Sequence, residues 1–347
     1  MKYIRQKRNG LYMLLLSVVM MVLAGGCGMK KTEKVTCADT AMGTIVQQTL
    51  YVQRENSEIT QNEIMELLDS LEKDTLSWRE ETSEVYSINS SSEHTGYVLS
   101  EKMQQYLEII RDVWMQSNGA FDVTVGEVTG LWGIDEWQQK EVCDYFQLPA
   151  VEELQAALKN SGFEKIKIEG KQIYKPAHIQ LDLGAVGKGI ACDEVRTLLS
   201  ENESVTGAVI SIGGSVLTYG EKPDGSSWKV AIQHPRIEGE TIAVLQLRGD
   251  WSISTSGDYE RYVEKDGKRY HHIIDPKTGY PADSGLISVT IVSESGILSD
   301  ALSTACFVLG KDAGLELAEE YGVQVYMVDK DLNVYMTEGM DKLLVLR

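Results

Sequence analysis

The chain has 347 residues, and its 33 Lys+Arg are outnumbered by 52 Asp+Glu, for a formal net charge of −19 at pH 7. So acidic a balance excludes a nucleic-acid binder and a protein that adheres to anionic lipid through basic patches. The length allows one large domain or two closely joined ones.

The first residues carry their own message. Lys2, Arg5, Lys7 and Arg8 precede an apolar run from Leu11 to Leu23, interrupted only by Ser17, and Ala24-Gly25-Gly26 follow. The run is shorter than the roughly 20 residues of a membrane-spanning helix. Residues 1–26 therefore read as a secretory signal, with a retained anchor as the alternative. Cys27, directly after small residues, resembles the lipidation site of bacterial lipoproteins, although Ala24 stands where leucine is commonest. That resemblance implies an extracytoplasmic protein, lipid-anchored to the bacterial cell membrane. Residues 28–36 (GMKKTEKVT) are polar and read as a tether, with the domain proper over 37–347.

Gln61 to Leu76 reads as an amphipathic helix, with Ile64, Leu67, Leu68 and Leu71 at helical spacing. Glu101 to Trp114 repeats the pattern through Met103, Leu107, Ile110 and Trp114. A third helix starts at Val151, runs through Leu158 and ends near Gly162, and a fourth spans Gly189 to Leu199. Strand-like stretches occupy the second half: Ala208 to Ile212, Trp228 to Ile232, Ile242 to Leu247, Trp251 to Thr255, Ile287 to Val292 and Val323 to Val328. Pro223-Asp224-Gly225 and Asp266-Gly267-Lys268 are turn signals, the second of them a hairpin. Helices and strands are partly segregated, so the expected class is α+β, with mixed and antiparallel sheets and packed helices. Cys37, Cys143, Cys192 and Cys306 lie far apart with no Cys-x-x-Cys pair, so buried free thiols are expected and no zinc site is indicated.

Several short stretches carry candidate chemistry. In LDLGAVGKGIACD (181–193), three glycines surround a lysine before a helix, an arrangement that can set N–H groups and an ammonium beside phosphates. It lacks the ending of a P-loop, and a ligand-free strand-to-helix turn explains it equally well. SIGGSV (211–216) is a second glycine pair after a strand. In SDALSTA (299–305), Asp300 and Thr304 are four apart and share a helix face, a donor pair suited to Mg²⁺. The spacing alone favours the plainer reading, in which Ser299-Asp300 starts and caps the helix. GAFDVTVG (119–126) places an aromatic and a carboxylate in a strand-like run, and Trp78 is either a stacking ring or a core residue. HHIIDPKTGYP (271–281) has turn chemistry at both ends and reads as a loop.

Taken in order, these blocks join with AMGT (41–44), SEVYSIN (83–89), LWG (131–133), STSGDYERY (254–262) and YHHIIDPKTGYPA (270–282). The series resembles the ApbE family of FAD:protein FMN transferases over nearly the whole chain from Cys37 onward. The resemblance implies an ApbE-like, T-fold-related α+β architecture. It implies an enzyme that moves the FMN half of FAD onto a Thr or Ser hydroxyl of a target flavoprotein and releases AMP. Family partners are FMN-bearing subunits of ion-pumping complexes of the Rnf/Nqr type or extracytoplasmic FMN-binding domains, with the acceptor threonine in a short Asp-containing motif. Two alternatives share the features: a Mg²⁺-dependent FAD pyrophosphatase with water as acceptor, and a non-enzymatic FAD-binding lipoprotein.

The resemblance also assigns residues. Asp300, Thr304 and the Ala185 carbonyl become Mg²⁺ ligands. Met42, Ala120, Phe121, Asp122, Asp182, Lys188 and Ile274 become FAD contacts. Trp78 stands where many relatives carry a tyrosine and would stack on the flavin ring. His272 matches the family histidine before Ile-Ile-Asp-Pro and would take the acceptor's proton or steady the pyrophosphate. His271 is not expected to act. Asp258 is a second candidate base or metal neighbour, with a structural hairpin role as the alternative.

Overall fold

The computed structural model describes residues 32–91, 95–133, 141–142 and 146–346. The expected signal segment 1–26, the lipidation site Cys27 and Cys143 lie outside the described residues. The frame is an eight-stranded sheet. Its strands are β1 (Thr32–Ala41), β2 (Thr44–Gln53), β7 (Val205–Ile212), β8 (Ser215–Gly220), β11 (Trp251–Gly257), β14 (Leu286–Ser293), β15 (Gln324–Asp329) and β16 (Val334–Met336), in that spatial order, while the short β3 (Tyr97–Val98), β4 (Glu141–Val142), β5 (Lys167–Glu169) and β6 (Gln172–Tyr174) belong to smaller sheets. From β2 to β16 every neighbouring pair is antiparallel. The α+β expectation with antiparallel sheets holds.

The start of the domain differs from expectation. Residues 32–36, read as tether, form the first half of β1, and the compact unit begins at Glu33. The reason is position: β1 is an edge strand with a single buried residue, Ala41, so its polar residues are compatible with pairing.

Helices cover one face. They are α1 (Ser57–Ser70), α2 (Glu84–Ser90), α3 (Glu101–Gln116), α6 (Gly187–Ser200), α7 (Gly296–Leu309) and α8 (Lys311–Glu320), and they share a large core with the sheet. A three-stranded sheet of β9 (Trp228–Gln233), β10 (Thr241–Leu247) and β17 (Leu344–Leu346) lies over the other face, where Trp228, Leu245 and Ile253 join a second core. Central β14 is consequently buried along its whole length. A third, smaller cluster joins α4 (Gly126–Trp132) and α5 (Val151–Asn160) to β12 (Tyr262–Lys265) and β13 (Lys268–His271). As the sequence suggests, β12 and β13 form a hairpin, with Asp266 and Gly267 both left-handed.

Two elements depart from their sequence pattern. The expected helix over Gln61–Leu76 is α-helical only to Ser70 and continues as a π-helical turn, Leu71–Leu76. The strand-like run around Phe121 is a turned loop instead. The Asp122 carboxylate accepts the Thr124 N–H at 2.8 Å and the Phe163 N–H at 3.2 Å, which bends the backbone away from a ladder.

Helices α6 and α7 meet at a pair of glycines. A Cβ on Gly189 would lie 2.2 Å from the Gly296 carbonyl oxygen, and one on Gly296 would lie 2.2 Å from the Gly189 oxygen. One turn further along α6, Asp193 accepts the Gly296 N–H at 2.7 Å and the Ile297 N–H at 2.9 Å, satisfying the free N-terminus of α7. Gly296→Ala is expected to lower stability by about 1–3 kcal/mol, because the added methyl must push two helices apart. Urea unfolding measures this, and an unchanged midpoint would show that the crossing is not tight.

Candidate active site

A cleft of about 630 Å³ opens at one end of the large sheet. Its walls come from the β1–β2 turn, the β7–β8 turn, the C-terminal end of β11, the loop before α6, the inner face of α7 and the loop after β13. All but the α7 face are chain reversals or element ends, where backbone groups are not consumed by ladders.

Asp300 sits one helical turn inside α7, so it does not cap the helix. That task falls to Ser295, whose hydroxyl accepts the Leu298 N–H, together with Asp193. The Asp300 side chain is buried, with a residue exposure of 3%. Its Oδ2 accepts the Gly189 N–H at 2.8 Å, its Oδ1 accepts the Ser215 hydroxyl at 3.4 Å, and the Lys188 ammonium lies 3.9 Å away. Burial raises the carboxyl's pKa, while Lys188 and the Gly189 N–H act in the opposite direction. Thr304 lines the same cleft one turn on. Among the described residues no three of His, Cys, Asp and Glu converge as a metal cluster.

The loop carrying Ala185 is fixed from both sides. Asp182 accepts the Gly184 N–H at 2.9 Å with one oxygen and the Thr129 hydroxyl at 2.9 Å with the other. Just before it, Asn89 makes a two-way amide contact with Leu181, donating to its carbonyl at 2.9 Å and accepting its N–H at 2.7 Å. Asn89 thus belongs to the scaffold of this loop, and Lys175, 1% exposed, donates to the Asn89 carbonyl at 3.0 Å.

The two adjacent histidines part company. His272 lines the cleft, and its Nδ1 lies 3.2 Å from the Arg261 carbonyl oxygen. A carbonyl only accepts, so in the neutral ring Nδ1 carries the proton and Nε2 the lone pair. His271 is buried, with Nε2 3.0 Å from the Ala282 carbonyl and Nδ1 accepting the Ile273 N–H at 3.3 Å. Burial holds its pKa below the ordinary value. Asp275 accepts backbone N–H groups of the turn that follows, and Gly279 supplies its left-handed residue.

Eleven of the residues singled out in the sequence meet in this cleft: Met42, Ala120, Phe121, Asp122, Asp182, Ala185, Lys188, His272, Ile274, Asp300 and Thr304. Two are not brought there. Asp258 is engaged by Arg236, which donates to both carboxylate oxygens at 2.7 and 2.8 Å, with Arg269 3.7 Å away. This two-pronged ion pair ties the segment after β11 to the loop between β9 and β10. Trp78 packs against the core, and the guanidinium carbon of Arg79 lies 4.0 Å over its ring, so the cleft meets Arg79 instead. Sequence reading also missed Glu72, Glu260, Arg261 and Ser256 as lining residues. Glu260 and Arg261 lay inside the quoted STSGDYERY block. Glu72 lies in the π-helical turn, which the helical spacing did not show.

Met42 is a conformational outlier. With φ of +52° at Met42 and +66° at Gly43, the β1–β2 connection is a two-residue turn in which only the second position suits its residue. The Met42 N–H donates to Glu72 at 2.9 Å, which ties this turn to the cleft wall.

The model of the ApbE family matches residues 42–327, the stretch that contains every wall of the cleft. The chain belongs to the ApbE family. It is 32% identical to the FAD:protein FMN transferase of Vibrio cholerae over 323 residues, covering 91% of this chain and 93% of that protein. It is 31% identical to the FAD:protein FMN transferase of Treponema pallidum over 343 residues, covering 93% and 92%. Among solved structures, the ApbE protein of Thermotoga maritima superposes with a TM-score of 0.81 at 30% identity, covering 90% of this chain and 99% of that one. The flavin transferase ApbE of Vibrio cholerae superposes with a TM-score of 0.79 at 29% identity, covering 90% and 100%.

Two outcomes follow from this geometry. Met42→Asn places a residue that tolerates the left-handed region in the turn, and is expected to raise stability by roughly 1 kcal/mol. Thermal unfolding checks it, and a lower melting temperature would mean that the thioether's packing outweighs the backbone strain. For His271 the native pKa is depressed, so its contribution is complete above the unfolded value of about 6.5 and is lost as pH falls through the native pKa. His271→Gln should therefore flatten the decline in unfolding free energy below about pH 6.5. Parallel profiles for the two proteins would remove His271 from that decline.

Proposed function

We infer that this ApbE-family protein is an FAD:protein FMN transferase, which carries the FMN half of FAD to a hydroxyl of an acceptor flavoprotein. The observation that carries the reading is the single cleft in which Asp300, Thr304, Lys188, the glycine-lined backbone and His272 face one another. Phosphoryl transfer asks a protein mainly for positioning and charge stabilisation, and these groups are suited to both.

In the proposed reaction the acceptor Thr or Ser oxygen attacks the phosphorus of the FMN half. The bond from that phosphorus to the bridging oxygen breaks, and AMP leaves with the oxygen and the electron pair. The hydroxyl proton passes to His272 Nε2, the ring atom left with a lone pair by the Arg261 carbonyl. Lys188, beside the N-terminus of α6, pairs with a phosphate oxygen. Met42, Ala120, Phe121 and Ile274 contribute apolar wall to the flavin or adenosine portions. Asp122 and Asp182 act chiefly through the loops they shape, since their oxygens already accept internal hydrogen bonds.

A divalent cation fits the donors present. The buried Asp300 carboxylate has one lysine as its ion-pair partner, and a threonine hydroxyl and the Ala185 backbone line the same cleft. Mg²⁺ accepts such a sparse set of hard oxygens, filling its other positions with water and phosphate. When bound, the ion neutralises charge on the pyrophosphate and aligns it. Asp300, Thr304 and the Ala185 carbonyl would hold it.

The test uses the full-length protein, FAD and an acceptor flavoprotein domain, with and without Mg²⁺. AMP release is followed by chromatography and acceptor mass by mass spectrometry. AMP together with an acceptor heavier by one FMN, abolished by Asp300→Ala, is the expected result. AMP with free FMN and an unmodified acceptor would make the protein a pyrophosphatase, and bound FAD without AMP a carrier. His272→Ala should slow transfer by at least about 100-fold, and a near-normal rate would reject His272 as the base. The same proposal places the enzyme outside the cytoplasm on a lipid at Cys27. Mass spectrometry of the mature N-terminus tests that, and an unlipidated mature chain would end it.

A further inference from the structure

Strand β11 reads Trp-Ser-Ile-Ser-Thr-Ser-Gly, and the alternation places Ser252, Ser254 and Ser256 on the face turned toward the helices. Ser256 is buried, yet it reaches the cleft. Its Oγ lies 2.8 Å from the Ser303 Oγ and 3.3 Å from the Thr304 Oγ1, both on α7. The Ser303 Oγ is in turn 2.8 Å from the Asp300 main-chain carbonyl oxygen.

Each hydroxyl has one proton, and the carbonyl has none. Two oxygens held at 2.8 Å without a proton between them repel, so Ser303 must donate to the Asp300 carbonyl. The proton between Ser303 and Ser256 then belongs to Ser256, and the proton between Ser256 and Thr304 belongs to Thr304. The order of protons is fixed from one end. With its own proton committed to Ser256, the Thr304 oxygen has its lone pairs left for the cleft.

We propose that Ser256 is a positioning residue that orients the Thr304 hydroxyl as an electron-pair donor, through a one-way chain running from Thr304 to Ser256 to Ser303 to the Asp300 carbonyl. The ligand so served is a hard divalent cation, and the inference rests on the cation reading given under the proposed function. A cation requires lone pairs, whereas a phosphate oxygen would require the proton. The chain therefore selects the first role for Thr304 and disfavours the second.

The test is direct binding of Mn²⁺ to the full-length protein with FAD present, by calorimetry and by the loss of the free-ion paramagnetic resonance signal. Ser256→Ala is expected to weaken Mn²⁺ binding about tenfold or more, the usual effect of removing the partner that orients a ligand. Ser256→Thr, which keeps the hydroxyl, should recover most of the affinity. Ser303→Ala frees the Ser256 proton to point at Thr304, and should weaken binding even where the first variant folds poorly. In a Thr304→Val background, Ser256→Ala should cause no further loss, a non-additivity that a merely structural role would not produce. Equal losses in both backgrounds, or undiminished binding by Ser256→Ala, would overturn the inference while leaving the cation site in place. A wild-type protein that binds no Mn²⁺ would overturn the cation site and this inference together.

Discussion

The contact between Gly189 and Gly296 sets the geometry on which the cleft depends. Two helices that cross on hydrogen atoms approach closely enough for backbone N–H groups of one to reach side chains of the other. Here the Gly189 N–H meets the Asp300 carboxylate, and Asp193 meets the open N-terminus of α7. A methyl group on either glycine would clash with the opposite carbonyl oxygen. The distance between Lys188 on α6 and Asp300 on α7 follows from the same crossing, so the charge arrangement of the cleft is a consequence of helix packing.

On the other side, α7 meets the sheet through hydroxyls as well as through the apolar core. Ser254 and Ser299 are 2.8 Å apart, as are Ser256 and Ser303, in a buried layer. An aliphatic interface of equal area would be more stabilising, since two buried methylene groups together contribute about 1.6 kcal/mol and the hydrogen bond between two hydroxyls about 1 kcal/mol net. Hydroxyls contribute something that methylenes lack, namely direction. The layer holds the register of α7 against β11 by donors and acceptors that must match, and that register decides which way Thr304 faces.

The fold was largely legible because its signals were periodic. The helical spacing at Met103, Leu107 and Ile110 and the strand patterns of the second half became α3 and the central strands, with ends displaced by a few residues. Local chemistry overrode pattern where it could act at short range, as at Asp122, whose carboxylate captures the Thr124 N–H that a strand would need. The sites split in the same way. Asp300 and Thr304 were visible as a pair four apart, but their spacing could not separate a ligand pair from a helix start. What separates them is Ser295, which takes the capping position and leaves Asp300 inside the helix. Asp258 and Trp78 do not line the cleft: Arg236 engages the first and Arg79 covers the second, contacts of side-chain geometry that spacing does not encode.

The charge of the cleft gives a last physical constraint. Glu72, Asp122, Asp182, Glu260 and Asp300 line it, against Lys188, Arg79 and Arg261. A unit charge pair about 4 Å apart near a protein surface interacts by roughly 4 kcal/mol. A doubly negative pyrophosphate set beside Asp300 would meet a repulsion of that order from the carboxylate, and Lys188, 3.9 Å from Asp300, offsets about one such interaction. Protonating Asp300, the direction in which burial drives it, would relieve the repulsion but weaken its acceptance of the Gly189 N–H, which favours the charged form. A divalent cation between carboxylate and phosphate relieves it without that loss. The carboxylate-rich cleft and the acidic surface are thus compatible with an anionic dinucleotide on one condition, that the missing positive charge arrives with the substrate.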